Sequence, residues 1–350
     1  MKNKTRRVFI KKAIGSAMGV ASLSLLNVRE ASISAPLRPF KEKRKVLLDT
    51  DIGTDADDAV CLAYLLLQER CDLIGVTTVG MDSGTRAQLV EVLSRDLGSK
   101  DLPISAGCDA PFLSNLYWND HKIFARGVLN NSPPRKTYMP NRSVEFMRDI
   151  IRQYPKEVTL LAVGPLTNVA ALLRSDPHTF GLLEEIIIMG GRFRHAPDKR
   201  KVDCNFMLDP ASGASVHQHI NVPVRIAGVE ETGPLGIARE TMERWFDNPA
   251  YDLLLELCKA WIDRNGRRGK RLGLHDPFAA ALLFEPDLCE YQRGDVGVQF
   301  RQYDLARDRD IEGDELTGYT TFVPNARGAH RIVIHAKREK VHRHLEQIWK

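Results

Sequence analysis

Five aspartates lie within ten residues, in a stretch that reads DTDIGTDADD. They are Asp49, Asp51, Asp55, Asp57 and Asp58, and residues 49–58 are called the aspartate loop below. Like charges this close repel one another, and solvation, protonation or a cation relieves the repulsion. A hard cation that prefers oxygen ligands suits such a loop. The alternative is that the later acids only cap a helix, but Asp49 and Asp51 precede that helix and a cap does not need them.

A further acid stands beside a histidine late in the chain. His275 and Asp276 precede Pro277 and the apolar run FAAALLF, which predicts a helix that opens at Asp276. Taken alone, such a pair is typical of a helix cap next to a surface histidine. Its chemical role depends on what the fold brings near it.

The aspartate loop follows a short apolar run. Residues 46–48 lead directly into Asp49, as expected of a buried parallel strand that ends at the carboxyl edge of a sheet. The active sites of open α/β sheets lie at that edge. Residues 59–67 are apolar and predict a helix that starts just after Asp58. The five carboxylates are therefore predicted to fill a strand-to-helix loop.

Strand and helix patterns alternate along the rest of the chain, which predicts an α/β fold with a Rossmann-like, open, mostly parallel β-sheet flanked by helices. Further predicted strands are 72–80, 103–107, 158–164, 184–191 and 222–230, with 296–305 and 329–336 at the periphery of the sheet. Predicted helices are 85–97, 166–173 with Thr167 as its cap, 209–220, most of 238–269, and 341–350. Residues 108–142 have little periodicity and are interpreted as a surface loop or a lid.

The positive charge is concentrated at the start of the chain. Residues 1–35 carry a net charge of +6, the whole chain +5, and the remainder about −1. Basicity therefore gives no indication of a nucleic-acid partner, and we expect none. Six cysteines are scattered without a CxxC pair or a zinc-like spacing, so neither zinc nor a disulfide framework is predicted.

The N-terminal segment resembles a twin-arginine export signal. Arg6 and Arg7 precede a short, weakly apolar run at 13–26. A membrane anchor is the alternative, but this run of 14 residues is shorter than the roughly 20 that span a bilayer. We predict that residues 1–35 are a signal peptide whose cleavage leaves no stable membrane anchor. A single domain at 36–350 is then expected in the periplasm or outside the cell.

Four motifs, in order, resemble the inosine-uridine nucleoside hydrolase family. They are DTDIGTDADDA from Asp49, LLAVGPLTNVA from Leu160, MGG from Met189 followed by DCN from Asp203, and LHDPFAAALL from Leu274. The resemblance covers most of residues 45–350 and implies the nucleoside hydrolase fold. It also implies hydrolysis of the N-glycosidic bond of a ribonucleoside to free base and ribose, with one Ca²⁺ ion in the site. We expect a nucleoside as the small-molecule partner and a homo-oligomer, either a dimer or a tetramer.

The resemblance implies a role for each matching residue. Asp51, Asp58, Asp276 and the main-chain carbonyl of Val163 would be the calcium ligands. Asp51 would also act as general base toward water, and His275 would protonate the departing base. The sugar would pass through an oxocarbenium-like state. The residues that would contact the substrate are Asp57, Asp82, Met189, Asp203 and Asn205.

This sequence departs from the family at several positions. Its loop is two residues longer than the usual DPGHDD, so Asp55 is an alternative to Asp57 and Asp58. Asp203 stands where the family has Glu, and Pro197 stands where it has an asparagine. Members commonly have Asn in place of Asp82. No counterpart of a histidine-containing base-pocket motif occurs within 108–142, so no base preference is predicted.

Two other functions fit parts of the sequence. A haloacid-dehalogenase-type phosphatase has a DxDGT motif that DTDIGT approximates, but Ile52 spoils its spacing. An exported calcium-dependent nucleoside- or ribose-binding protein would share the metal and sugar contacts without turnover. Asp51 and His275 argue against it, because binding alone needs neither a base nor an acid.

Overall fold

The computed structural model describes residues 43–99, 101–113, 122–194, 203–265, 271–302 and 316–350. Contacts within the chain divide it into residues 1–40 and 41–350, and every described residue belongs to the second unit. The proposed signal peptide lies outside the described residues. The division into a signal peptide and one domain at 36–350 stays a prediction.

β-strands alternate with one or two α-helices along most of the described residues, and no described helix separates the last three strands. The strands are β1 (Arg44–Thr50), β2 (Cys71–Thr78), β3 (Ile104–Ala106), β4 (Val158–Ala162), β5 (Glu185–Met189), β6 (Val224–Ala227), β7 (Ile237–Ala238), β8 (Arg271–Leu272), β9 (Cys289–Gln302), β10 (Leu316–Pro324) and β11 (His330–Ala336). The helices are α1 (Asp57–Leu67), α2 (Ser83–Asp96), α3 (Val128–Asn131), α4 (Ser143–Gln153), α5 (Thr167–Ser175), α6 (Pro177–Phe180), α7 (Cys204–Leu208), α8 (Pro210–His219), α9 (Val229–Thr232), α10 (Arg239–Trp245), α11 (Asp252–Asn265), α12 (His275–Ala281) and α13 (Arg338–Ile348).

Nine of the described strands form one sheet in the order β10-β9-β11-β6-β5-β4-β1-β2-β3. The strands from β11 to β3 run parallel, whereas β9 at one end pairs antiparallel with both β11 and the edge strand β10. The predicted open, mostly parallel sheet is confirmed. β7 and β8 form a separate antiparallel pair.

Both faces of the sheet are covered, which explains why its central strands are apolar at consecutive positions. Successive side chains of a strand point to opposite faces. Leu48 therefore joins a core that also contains residues of α1, α2 and α10–α13. Leu47 joins the core on the other face, with residues of α4, α5 and α8.

The order of the strands fixes where a site can form. The chain moves from β1 outward to β2 and β3, then returns to β4 on the other side of β1. Such a reversal opens a crevice at the carboxyl ends of the two strands on either side of it. Here the N–H of Val163 donates to the carbonyl of Asp49 at 2.9 Å, so the loops after β1 and β4 leave the sheet side by side.

Two predictions about these elements were wrong. Strand β11 is not peripheral, because it lies between β6 and β9 and the antiparallel β9–β10 pair extends the sheet beyond it. Thr167 does not cap α5 but is its first residue, and its hydroxyl donates to Oδ2 of Asp209 at 2.7 Å. A nearby buried carboxylate is the stronger acceptor and takes the hydroxyl away from the helix end.

The described part of 108–142 is attached to the sheet and to the aspartate loop. The N–H groups of Phe124 and Ala125 reach the carbonyl of Gly53 at 2.8 and 3.4 Å. Near the other end, the N–H of Arg142 donates to the carbonyl of Ala106 in β3 at 2.9 Å. Residues 114–121 lie outside the described residues, so the choice between a surface loop and a lid stays open.

The six cysteines all carry free thiols. Four of them are buried, namely Cys61, Cys71, Cys258 and Cys289. No helix among the described residues combines the length and apolarity that a membrane span requires.

Candidate active site

Three carboxylates meet where two helices begin. Asp57 and Asp58 form the first turn of α1 instead of preceding it, and Asp276 lies in the first turn of α12. The two helices pack against each other. One carboxylate oxygen from each residue lies within 4.8 Å of the other two, and all three side chains are buried. These three residues are called the carboxylate cluster below.

Holding the three carboxylates of the carboxylate cluster in their charged form is unfavourable without a cation. Burial raises the pKa of Asp57, Asp58 and Asp276 above the usual range, and repulsion from Asp51 raises all three further. The helix N-termini offset part of this cost. A donor set made of oxygens, buried and converging from two elements, fits a hard divalent cation.

Asp55 does not belong to the carboxylate cluster. Its side chain is exposed, and Oδ1 accepts a hydrogen bond from the indole N–H of Trp261 in α11 at 2.8 Å. The longer loop therefore directs its additional acid toward α11. Asp57 and Asp58 are the acids of the aspartate loop that lie beside Asp276.

Asp51 and Val163 lie at the crevice between β1 and β4. Asp51 is buried just after β1, and Gly164 touches it so closely that a Cβ there would stand 3.0 Å from both its N and its Oδ1. The carbonyl of Val163 accepts a hydrogen bond from Nδ2 of Asn205 at 2.7 Å. A carbonyl oxygen has two lone pairs, so this bond leaves one for another partner.

Asn205 also links the neighbouring strand. Its Nδ2 donates to the carbonyl of Met189 at 3.1 Å, so one amide joins the ends of β4 and β5. Both amide hydrogens are then in use, and the side chain offers a ligand only its oxygen. Asp203 is buried at the N-cap of α7, where Oδ1 accepts the N–H of Phe206 at 3.2 Å. Burial raises the pKa of Asp203.

His275 lies beside the carboxylate cluster. Its Nδ1 is 2.6 Å from the hydroxyl oxygen of Thr232 in α9. A Cβ on Gly273 would stand 3.2 Å from Nε2 of His275 and 3.7 Å from Oδ2 of Asp57. His275 and Asp57 thus both lie beside Gly273, and a side chain at Gly273 would crowd the imidazole ring of His275.

Asp82 has other partners. It adopts a left-handed conformation (φ 61°) at the N-cap of α2, where its side chain accepts the N–H of Thr85 at 3.2 Å. Arg126, from the described part of 108–142, donates to its other carboxylate oxygen. Asp82 thus joins α2 to that segment at the same edge of the sheet.

Sequence reasoning missed the residues that hold these groups in place. Asp49 is fully buried, which raises its pKa to about 7, and its Oδ1 accepts from Thr77 at 2.6 Å and from Nδ2 of Asn168 at 2.7 Å. The hydroxyl of Thr50 donates to Asp58. No local pattern identifies these long-range partners.

Arg86 could have been found from the sequence. It lies three residues before Leu89 and four before Val90, on the stripe of α2 that is predicted to face the core. A charged residue on a buried stripe needs a partner. In the fold it is fully buried and donates to the carbonyl of Asp51.

Comparison with known proteins agrees with this geometry. Residues 46–343 match the inosine-uridine preferring nucleoside hydrolase family. The pyrimidine-specific ribonucleoside hydrolase RihA of Escherichia coli O1:K1 is 29% identical over 265 residues, covering 73% of this chain and 84% of that protein. RihA of Citrobacter koseri is also 29% identical over 265 residues, covering 73% and 83%.

Solved structures show the same fold. A plant nucleoside hydrolase superimposes with a TM-score of 0.69 at 22% identity, over 87% of this chain and 98% of that one. A purine-preferring ribonucleoside hydrolase from Gardnerella vaginalis gives a TM-score of 0.72 at 20% identity, with the same coverage. The predicted family and enzyme class are confirmed. The match over residues 46–343 shows that this chain belongs to the inosine-uridine preferring nucleoside hydrolase family.

Proposed function

We propose that this protein hydrolyses the N-glycosidic bond of ribonucleosides to a free base and ribose, and that it uses calcium. The observation that carries the proposal is the burial of Asp57, Asp58 and Asp276 together at the sheet edge, beside Asp51 and His275. One similar protein in sequence is a pyrimidine-specific ribonucleoside hydrolase, and a structure of the same fold is that of a purine-preferring one. The proposal therefore covers ribonucleosides as a class, without a base preference.

The calcium ion would be held by Asp51, Asp58, Asp276 and the carbonyl of Val163, with Asp57 next to them. When bound, such a cation lowers the pKa of water and polarises hydroxyl groups. The remaining lone pair of the Val163 carbonyl is compatible with this role. The hydrogen bond from Asn205 fixes the direction of that carbonyl.

Asp51 is the proposed general base, which takes a proton from the attacking water. Its position is rigid because Gly164 packs directly against its backbone and carboxylate. As the glycosidic bond breaks, positive charge develops on the sugar. The neighbouring buried carboxylates stabilise that charge, since electrostatic interactions are strong where water is excluded.

Asp57, Asp203 and Asn205 are proposed to orient the ribose hydroxyls, with Met189 beside the sugar. Asn205 would accept a hydrogen bond, because its amide hydrogens are engaged by Val163 and Met189. Asp82 would also contact the substrate, and the hydrogen bond from Arg126 would fix its carboxylate. These contacts fix the sugar in the geometry that reacts.

His275 is the proposed acid for the leaving base. To act as an acid His275 carries a proton on each ring nitrogen, so that Nδ1–H donates to the hydroxyl oxygen of Thr232 and the proton on Nε2 is the one delivered, which leaves a neutral imidazole. Nε2 lies on the side of the ring near Gly273, and Oδ2 of Asp57 is also close to Gly273. A proton delivered from Nε2 lets a nitrogen base leave neutral instead of as an anion.

The proposal includes the cellular location of the protein. The paired arginines Arg6 and Arg7 support export by the twin-arginine route and activity in the periplasm or outside the cell. A homo-oligomer, dimer or tetramer, stays a prediction.

Incubation with inosine, adenosine, uridine and cytidine in the presence of calcium tests the activity. Release of reducing sugar from at least one nucleoside is expected, and Asp51→Ala should release none. A binding protein would instead show nucleoside affinity by calorimetry without any sugar release. Absence of both nucleoside binding and sugar release would refute the proposed function.

A further inference from the structure

We propose that Arg86 is a positioning residue for this reaction, because its guanidinium braces the turn that aims Asp51 and supplies a fixed positive charge beside the aspartate loop. The proposal rests on the proposed function. Arg86 lies in α2 and is fully buried.

The guanidinium connects two loops at the carboxyl edge. The two hydrogens of Nη1 are shared among three acceptors, namely the carbonyl of Asp51, that of Ile52 at 3.0 Å and the hydroxyl of Thr54 at 2.8 Å. Nε donates to the carbonyl of Met81 at 3.2 Å. One side chain therefore holds the turn after β1 against the turn after β2. The planar arrangement of guanidinium donors allows this, whereas a lysine ammonium on a flexible stem cannot reach the same set.

The backbone beside Arg86 is shaped to admit it. Gly80 has φ +97°, and a Cβ there would stand 3.3 Å from Nε and 3.5 Å from Nη2 of Arg86. A side chain at this position would be strained and would crowd the guanidinium. The turn after β2 is therefore built around the arginine.

The charge of Arg86 acts on the same loop. Burial lowers its pKa, whereas Asp51, Asp58, Asp82 and Asp109 raise it. A buried cation among carboxylates offsets part of their mutual repulsion. Arg86 thus has two separable effects on Asp51: it fixes the backbone, and it reduces the cost of the nearby negative charge.

Arg225 offers a matched comparison. It is also buried, and its guanidinium binds Glu185 at 2.6 Å and the carbonyl of Leu282 at 2.7 Å. Glu185 begins β5, so this ion pair lies at the amino edge of the sheet, opposite the carboxylate cluster. Loss of either arginine should lower stability, but only Arg86 touches the turn of Asp51.

The experiment compares Arg86→Lys with Arg225→Lys in the full protein with saturating calcium. Arg86→Lys keeps the charge but loses the brace, so kcat should fall about 100-fold while KM changes less than about threefold. Calcium affinity, measured by titration calorimetry, should weaken about tenfold, as for other groups that hold metal ligands. Arg225→Lys should lower the melting temperature and leave kcat and calcium affinity as in the wild type.

Chemical rescue separates positioning from general stability. In Arg86→Ala, millimolar guanidinium should restore part of kcat, and methylammonium should not. Equal losses of kcat in the two lysine variants, or no loss in Arg86→Lys, would overturn the proposal. If Arg86→Lys does not fold, Thr54→Val removes one of the acceptors, and an unchanged kcat in that variant overturns it too.

The calcium measurement keeps the two proposals distinct. A wild type that releases sugar beside an Arg86→Lys variant with full kcat refutes only the role of Arg86. A wild type that hydrolyses no riboside refutes the proposed function. The calcium affinities of the two lysine variants then still decide whether Arg86 holds the loop.

Discussion

The indole N–H of Trp261 donates to Oδ1 of Asp55 at 2.8 Å, joining α11 to the aspartate loop. This bond occupies the additional acid of the loop and leaves Asp57 and Asp58 to turn inward toward Asp276. Acids close together in sequence are thereby divided between a structural contact and the candidate metal site.

We expect the calcium content of purified variants to distinguish Asp58 and Asp276 from Asp55. Asp58→Ala and Asp276→Ala should lose bound calcium because each removes an oxygen from the buried donor set. Asp55→Ala is the matched control and should retain calcium, since its carboxylate is bound by Trp261. The measurement is metal analysis of each purified variant after dialysis against buffered calcium. Loss of calcium in Asp55→Ala, with retention in the other two, would show that the loop register is wrong.

Calcium removal should lower the melting temperature of the wild type. Calcium at about 100 times its Kd stabilises the native state by about 2.7 kcal/mol, which corresponds to roughly 4 °C for a chain of this size. A calorimetric scan with and without a calcium chelator measures the shift. Asp58→Ala should show no shift and, in chelator, should melt at or above the wild type because one buried repelling carboxylate is gone. An unchanged melting temperature of the wild type in the presence of the chelator would refute stabilisation by a bound calcium ion.

His275 and Asp51 should respond differently to the leaving group. His275→Ala should lose most activity on natural nucleosides, whose bases need a proton to leave, and keep most of it on a nitrophenyl riboside. Asp51→Ala should be inactive on both, because it acts on water. Steady-state kinetics on the two substrates decide this. Similar losses for His275→Ala on both would mean that His275 supports the loop of Asp276 and is not the acid.

Stability should fall in mild acid because of a buried histidine pair. Nδ1 of His217 is 3.0 Å from Nε2 of His330, and burial, then His330, lower the pKa of His217 from 6.5 to about 3. The unfolded chain therefore binds a proton below about pH 6.5 that the folded protein excludes. This group's contribution is present above that pH and is lost as the pH falls toward 3, by up to about 1.4 kcal/mol per unit.

Urea unfolding at pH 7 and pH 5 measures that dependence. The difference in the free energy of unfolding between the two pH values should be about 2 kcal/mol smaller in His217→Gln than in the wild type. His178, an exposed histidine, supplies the control His178→Gln, which should keep the wild-type difference. Identical differences in the wild type and His217→Gln would contradict the role of this pair.

Export should depend on the paired arginines. Replacing Arg6 and Arg7 together by Lys should leave the protein in the cytoplasm, because the twin-arginine route reads the arginine pair and not its charge alone. Fractionation followed by immunoblotting measures the distribution. A double Lys4→Arg, Lys11→Arg variant, which retains both arginines, is the control and should be exported. Normal export of the Arg6, Arg7 double variant would exclude this route.

The sequence alone determined the class of fold and most of the residues of the candidate site. Apolar runs that end in Asp49 and Met189 identified the strand ends, because a buried parallel strand has few polar positions before its carboxyl edge. Since those ends share one edge, the motifs at Asp51, Val163, Asn205 and His275 could be expected to meet there, and the structure brings these residues to that edge.

Only the tertiary structure decided how each side chain is used. Trp261 reaches Asp55 across 206 positions of the chain, and Asn205 reaches the Val163 carbonyl across 42. Arg86 is likewise brought to Asp51 only by the pairing of β1 with β2. The burial of Arg86 follows from its place on the core-facing stripe of α2, but the identity of these hydrogen-bond partners leaves no periodic trace, because it depends on which strands become neighbours. The sequence therefore identifies the carboxylates, and the packing of the sheet and its helices decides which of them are buried together.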